Sequence, residues 1–176
     1  VVDSILKQYS GEKNVCTLLS GGLDSSIVTA VVSEAVRHSG GKLKTFSVDY
    51  DGNDIYFKSN DFQPNSDSEW IKVMADFSET DHTTMKLSNE ALVNGLHDAM
   101  VLRGFPGMGD IDTSLMVFCK GMSKYAKVGM GGECADEVFG GYPWFHREEL
   151  KSSDFFPWIR SVSERNEYIN EEIKEK

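Results

Sequence analysis

Two short stretches concentrate the residues of this chain that are equipped for chemistry. The first is Ser20-Gly21-Gly22-Leu23-Asp24-Ser25-Ser26. Glycines lack a Cβ, so the backbone there can turn tightly and come close to an anion. The amides that open a following helix then attract phosphate. Ser20, Ser25 and Ser26 add hydroxyl donors. The stretch has neither the Gly-Lys-Ser/Thr ending of a Walker loop nor the G-x-G-x-x-G of a dinucleotide fingerprint. Asp24 sets it apart. A carboxylate beside a phosphate repels it unless a cation lies between, so Asp24 predicts Mg2+ bridging carboxylate and phosphate oxygens. The alternative for the same residues is a Gly-Gly turn with Asp24 as a helix cap.

The second stretch is Gly131-Gly132-Glu133-Cys134-Ala135-Asp136-Glu137-Val138-Phe139-Gly140-Gly141-Tyr142, with three carboxylates within five residues between two glycine pairs. Clustered charges commonly form a solvated acidic turn. Here they follow an apolar run, and the glycine pairs suit close backbone approach. If Glu133 opens a helical turn, Asp136 falls on the same face one turn on and, with Asp24, completes a Mg2+ site against a triphosphate.

The elements that position these stretches follow from periodicity. Short apolar runs at 15–19, 43–48, 82–87 and 126–130 read as strands, separated by helical patterns. Residues 1–9 read as an entering helix. Ile27, Val28, Val31, Val32 and Ala35 form a helical stripe after the first loop. Residues 50–68 read as a long loop at a strand's carboxyl end, where α/β folds handle ligands. Trp70, Val73, Met74 and Phe77 form a stripe capped by Ser66 or Ser68, and Leu92, Leu96, Ala99 and Met100 form another after Ser88. A Gly/Pro loop at 103–110 leads to a helix capped by Asp112, with Leu115, Phe118, Cys119 and Met122 inward. After Tyr142, Trp144 and Phe145 the chain reads as charged helix to Lys176. The expected fold class is α/β, a parallel sheet of about four to five strands with helices on both faces.

The first loop resembles the S-G-G-x-D-S pyrophosphate loop of the ATP pyrophosphatases (the PP-loop, adenine nucleotide alpha hydrolase-like fold), which split ATP between the α and β phosphates. The second stretch resembles G-E-x-x-D-E-x-F-G-G-Y of the synthetase domain of glutamine-hydrolysing asparagine synthetases. The resemblance runs from Val15 to Phe145. It implies ATP and Mg2+, with adenylation of the aspartate side-chain carboxylate and attack by ammonia to give asparagine. Residue by residue it implies Leu18, Ser20, Gly21, Gly22, Asp24, Ser25, Ser26, Val48, Gly131 and Gly132 at the nucleotide, and Asp24 and Asp136 at the metal. Glu133 is implied as an acidic group accepting a proton as ammonia attacks. Asp112-Thr113-Ser114 is similar to a segment lining the aspartate side, although an Asp cap explains it equally. Gly131 replaces a Ser common in relatives, and Cys134 replaces Gly or another small residue. The wider superfamily leaves as alternatives a related carboxyl-adenylating or β-lactam-synthetase-like enzyme, a tRNA-modifying pyrophosphatase, or a nucleotide-binding fragment inactive by itself.

Composition narrows these. The chain has 176 residues, 40% of them apolar, with 28 acidic against 18 basic and a net charge of −10. The scattered Lys and Arg form no basic face for nucleic acid or anionic lipid. Cys16, Cys119 and Cys134 make no C-x-x-C pair, and His38, His82, His97 and His146 show no metal-ligand spacing. No apolar run of about 18 residues exists to cross a bilayer. A cytoplasmic setting is the expectation. The chain begins at Val1 and is short for two substrates, so it is expected to be a single, truncated synthetase domain. An N-terminal glutaminase domain supplying ammonia and a C-terminal helical segment are absent from it, and a homodimer is the expected assembly.

Overall fold

The computed structural model describes residues 1–9, 11, 14–59 and 66–148. The chain divides into two compact units, Val1–Glu133 and Cys134–Lys176.

The first unit is built on four strands, β1 (Val15–Leu18), β2 (Lys44–Tyr50), β3 (Asp81–Leu87) and β4 (Val128–Met130). They are ordered β3-β2-β1-β4, and every pairing is parallel. Parallel neighbours need crossovers, and helices supply them. α1 (Val2–Tyr9) precedes β1, α2 (Leu23–His38) joins β1 to β2, and α3 (Asn53–Tyr56) and α4 (Asp67–Phe77) join β2 to β3. α5 (Asn89–Arg103) and α6 (Gly109–Met122) return the chain to β4.

Strand alternation divides the core into two layers. Val15 faces α1 and α2, where Ile5, Val28, Val32 and Leu43 bury against it. Thr17 shares that face and hydrogen-bonds Thr29 of α2 at 2.9 Å, so the buried hydroxyl pair satisfies itself. Cys16 faces the other way, into a cluster with Phe46 and with Phe118, Met122 and Ala126 from the α6 end, flanked by Leu18, Val48 and Met85. Helices therefore cover both faces, which is why β1 reads as continuously apolar.

Several expectations need correcting. Ser66 does cap α4, accepting from the Ser68 amide, but Trp70, Val73 and Phe77 are 53%, 58% and 75% exposed, and Ala75 is the buried residue of the helix. The stripe is exposed, and the neighbouring part of the sheet is polar, with Thr45, Ser47, Thr80, His82 and Thr84 hydrogen-bonded among themselves. α5 is capped by Ser88 as expected. It buries Gly95 and Ala99 against α6 and leaves Leu96 and Met100 exposed. The helix assigned to an Asp112 cap starts earlier, after Met108. Asp112 instead sits in its first turn and takes a 2.7 Å bond from Arg103, while Leu115 and Cys119 lie outward. The 50–68 loop contains the single turn α3, and its residues 60–65 lie outside the described residues. The expected charged helix after residue 148 also lies outside them.

In the second unit, Cys134 precedes α7 (Ala135–Phe139), and a 3-10 turn follows at Pro143–Phe145.

Candidate functional site

In an open parallel sheet ligands bind outside the carboxyl ends of the strands, where the strand order reverses. Here β1, β2 and β3 run outward in one direction and β4 returns to the far side of β1, so the reversal lies between β1 and β4. Residues 19–22 and 131–133 leave the sheet at that point.

The loop after β1 is tightly organised. Leu19 extends the ladder by donating to the Phe46 carbonyl at 2.8 Å. Gly21 has φ +84°, and a Cβ there would lie 2.8 Å from the Asp67 carbonyl and 3.2 Å from Trp70 Cβ, so only glycine fits against the first turn of α4. Gly22 caps α2 from extended backbone without a side-chain bond. The amides of Leu23 and Asp24 open the helix and have no acceptor among the described residues. With the dipole of a 16-residue helix behind them, they form an anion-attracting end. The Ser20 amide donates to Ser25 Oγ, and the Ser25 and Ser26 hydroxyls both donate to the Gly22 carbonyl. Asp24, half-buried, is the acidic residue of this first turn.

The end of β4 meets the same turn. A Cβ on Gly132 would lie 2.7 Å from Asp24 Cβ and 2.8 Å from the Ser25 amide nitrogen. No side chain fits between them, and the two motifs touch through bare backbone. Gly131 differs. A Cβ there would meet only Leu18, at an ordinary 3.5 Å, so the position has room for a serine. Leu18 and Val48 flank the apolar cluster under α6 and are half-buried. Glu133, exposed, ends the first unit.

Asp136 belongs to the second unit, in the first turn of α7. Glu133 is outside that helix, which corrects the expectation of a helical turn opening at Glu133. Cys134 intervenes in the left-handed region, φ +68°. Within the unit Asp136 packs on Gly141, Tyr142 stacks on Trp144 at 4.2 Å, and the Tyr142 hydroxyl donates to Glu137.

Among the described residues no three His, Cys, Asp or Glu converge as a metal cage. Asp24, a carboxylate in the first turn of α2, is the donor type that Mg2+ shared with phosphate oxygens and water takes. Cys16, buried in the sheet, is a structural thiol. Burial, aided by Cys119, pushes the Cys16 thiol up to about 11.

Ser20, Gly21, Gly22, Asp24, Ser25, Ser26, Gly131 and Gly132 thus converge at the β1–β4 edge, with Leu18 beneath. Val48 lines the neighbouring strand end. Sequence reasoning missed the contact of α4 with Gly21, because the only local signal is the glycine itself.

The whole chain, residues 1–176, matches the family model described as asparagine synthase. Asparagine synthetase 3 (glutamine-hydrolyzing) of Bacillus subtilis (strain 168) is 42% identical over 175 residues, covering 99% of this chain and 28% of that protein. The glutamine-hydrolyzing asparagine synthetase of Asparagus officinalis is 26% identical over 175 residues, covering 94% and 28%. Among solved structures, NAD+ synthetase from Burkholderia pseudomallei matches with a TM-score of 0.43 and 12% identity, over 95% of this chain and 69% of that one. The chain spans 28% of the length of these two curated relatives. On the family match across its length, the chain belongs to the asparagine synthase family.

Proposed function

We propose that the protein supplies the ATP-handling part of an asparagine-forming synthetase. In this reading the chain binds Mg-ATP on the loop 20–26, aspartate is adenylated on its side-chain carboxylate with release of pyrophosphate, and ammonia displaces AMP to give asparagine. Family membership supports the reading. The single observation that carries it is the approach of Gly132 to the first turn of α2, which sets the second motif's backbone beside the anion-attracting loop.

The chain's contribution would be electrostatic. The helix-end amides of Leu23 and Asp24 face charge developing on the leaving pyrophosphate, already oriented before it forms. A bound Mg2+ would supply charge neutralisation, with Asp24 as its carboxylate and Asp136 as the proposed counterpart on the sequence match alone. Leu18, Val48, Gly131 and Gly132 are proposed for the nucleoside side, and Glu133 for the proton leaving the attacking ammonia. Ammonia would come from glutamine through a glutaminase domain not contained in these residues, in a cytoplasmic, dimeric enzyme. Among the described residues no helix is long and apolar enough to cross a membrane.

Aspartate-dependent exchange of label between pyrophosphate and ATP tests the reading. Exchange lost in Asp24→Asn is expected, and exchange unchanged by that substitution sinks it.

A further inference from the structure

We infer that α4 carries the protonation state of His82 to the loop after β1, so that acid loosens the contact between them. α4 is lightly held. Of its 11 residues only Ala75 is buried, and Trp70, Val73 and Phe77 are exposed. Its two ends tie it down. At the head, a Cβ on Gly21 would meet the Asp67 carbonyl at 2.8 Å, Trp70 Cβ at 3.2 Å and Ile71 Cγ1 at 3.3 Å, so bare loop backbone lies against the first turn. At the tail, the Thr80 amide donates to the Ala75 carbonyl at 3.0 Å, and the Thr80 hydroxyl lies 3.0 Å from that of Thr45 on β2. Thr45 in turn lies 2.8 Å from His82 Nδ1. A hydrogen-bonded chain therefore runs from the imidazole to the last turn of α4.

Counting protons gives the chain a direction. A hydroxyl has one proton to donate and two lone pairs to accept with. Ser47 donates to Thr84 at 3.0 Å, so its 3.1 Å contact with His82 Nε2 calls for the ring's N–H at that nitrogen. The neutral ring then has a bare Nδ1, which accepts from Thr45, and Thr45 accepts from Thr80. A second proton on the ring goes to Nδ1 and reverses both bonds. Nδ1 donates to Thr45 and Thr45 to Thr80. The Thr80 proton is left with the long 3.4 Å contact to the Ala75 carbonyl, which the Thr80 amide already occupies.

The new charge has no counter-ion beside it. Lys44 and Asp81 pair with each other at 2.8 Å, and strand alternation turns them to the face opposite Thr45 and His82. Arg37 of α2 pairs with Glu79 of the turn after α4 at 3.8 Å. Further along the face of His82, Asp49 and Lys86 stand opposite each other, and Asp49 accepts from Asn53. Glu34 on α2 and Lys72 and Asp76 on α4 are exposed. An imidazolium without a partner is more stable in water, and α4 is the neighbour whose release gives up least buried surface. Burial holds the ring below its ordinary 6.5, so α4 stays seated above about 6.5 and loosens as pH falls from there.

Residue-resolved hydrogen exchange on the 176-residue chain tests the inference, with protection factors normalised for intrinsic rate at pH 7.5 and 5.5. Wild type is expected to lose protection severalfold along α4 and at the Ser26 amide of the loop, while α6 changes little. His82→Gln should hold its α4 protection across the span. Thr80→Val, which cuts the chain and leaves the imidazole, should give α4 protection that is low at both pH values and no longer follows pH. Equal α4 protection at the two pH values in wild type overturns the inference. So does a fall shared equally by α6, a fall as large in His82→Gln, or a Thr80→Val helix that still follows pH. The consequence for nucleotide, weaker Mg-ATP at pH 5.5 in wild type than in His82→Gln, rests on the reading above. Exchange needs no ligand, so the two fail separately.

Discussion

Gly132 and Gly131 are adjacent and chemically identical, and the structure predicts opposite fates for them. Gly132→Ala drives a methyl into Asp24 Cβ and the Ser25 amide, which are a helix's first turn and not the free end of a side chain. Something must shift, at about 1–3 kcal/mol of stability and, because the displaced group is the turn proposed to bind the phosphates, about a hundredfold in Mg-ATP affinity. Gly131→Ser meets only Leu18 at ordinary contact distance and should fold like wild type. Thermal melts and calorimetry on the pair check this, and equal losses in both would refute it. Cys134→Gly makes a third case. Cys134 holds φ +68°, a conformation that disfavours side chains, so the glycine variant should gain about 1 kcal/mol, read by denaturant unfolding. At this scale the sequence revealed which residues cluster, since glycines and carboxylates are visible one by one. It did not reveal that the Ser25 and Ser26 hydroxyls both turn back to the Gly22 carbonyl, because that depends on angles fixed only when the loop is packed.

At the scale of elements, local rules read well and facing rules read badly. The caps Ser66 and Ser88 were legible because capping is decided within three residues, and both accept the expected amides. Asp112 looked like a third cap, but an arginine nine residues earlier takes its carboxylate and the helix begins further upstream. Periodicity found the stripe Trp70, Val73, Phe77, yet it cannot say whether the surface below wants it. The neighbouring β2–β3 face is a row of hydroxyls and a histidine, and the stripe is exposed. α6 shows the reverse, with Phe118 sealed into the layer against Cys16 and Phe46. The two phenylalanines should therefore respond differently. Phe118→Ala is expected to cost about 3–5 kcal/mol, whereas Phe77→Ser should stay within about 0.5 kcal/mol of wild type. Denaturant unfolding of the two variants decides it, and a Phe77 loss matching that of Phe118 would mean that α4 is buried.

For the whole molecule, the parallel architecture was legible from the alternation of strand and helix patterns, but the polar half-layer beneath α4 was not, since Thr, Ser and His in a strand read as a solvent-facing edge. That layer gives the chain's stability an acid dependence. His82 sits among hydroxyls, with Thr45 at 2.8 Å from Nδ1 and Ser47 and Thr84 at 3.1 and 3.2 Å from Nε2. No carboxylate is among these partners, and burial holds the imidazole below its ordinary 6.5. A histidine depressed on folding is protonated more readily in the unfolded chain, so stability is retained above about 6.5 and falls as pH drops from there toward the folded value. The nearby Lys44–Asp81 pair acts elsewhere on the scale. Lys44 holds the Asp81 carboxyl below 3.8, so that contribution is lost only in stronger acid, and both groups are exposed enough for it to be small. Melting midpoints between pH 7.5 and 5 thus isolate the histidine. Wild type should lose stability across that span, and His82→Gln, which keeps hydrogen-bonding capacity without the titration, should lose visibly less. Parallel curves for the two proteins would show that the half-buried imidazole is not what makes the fold acid-sensitive.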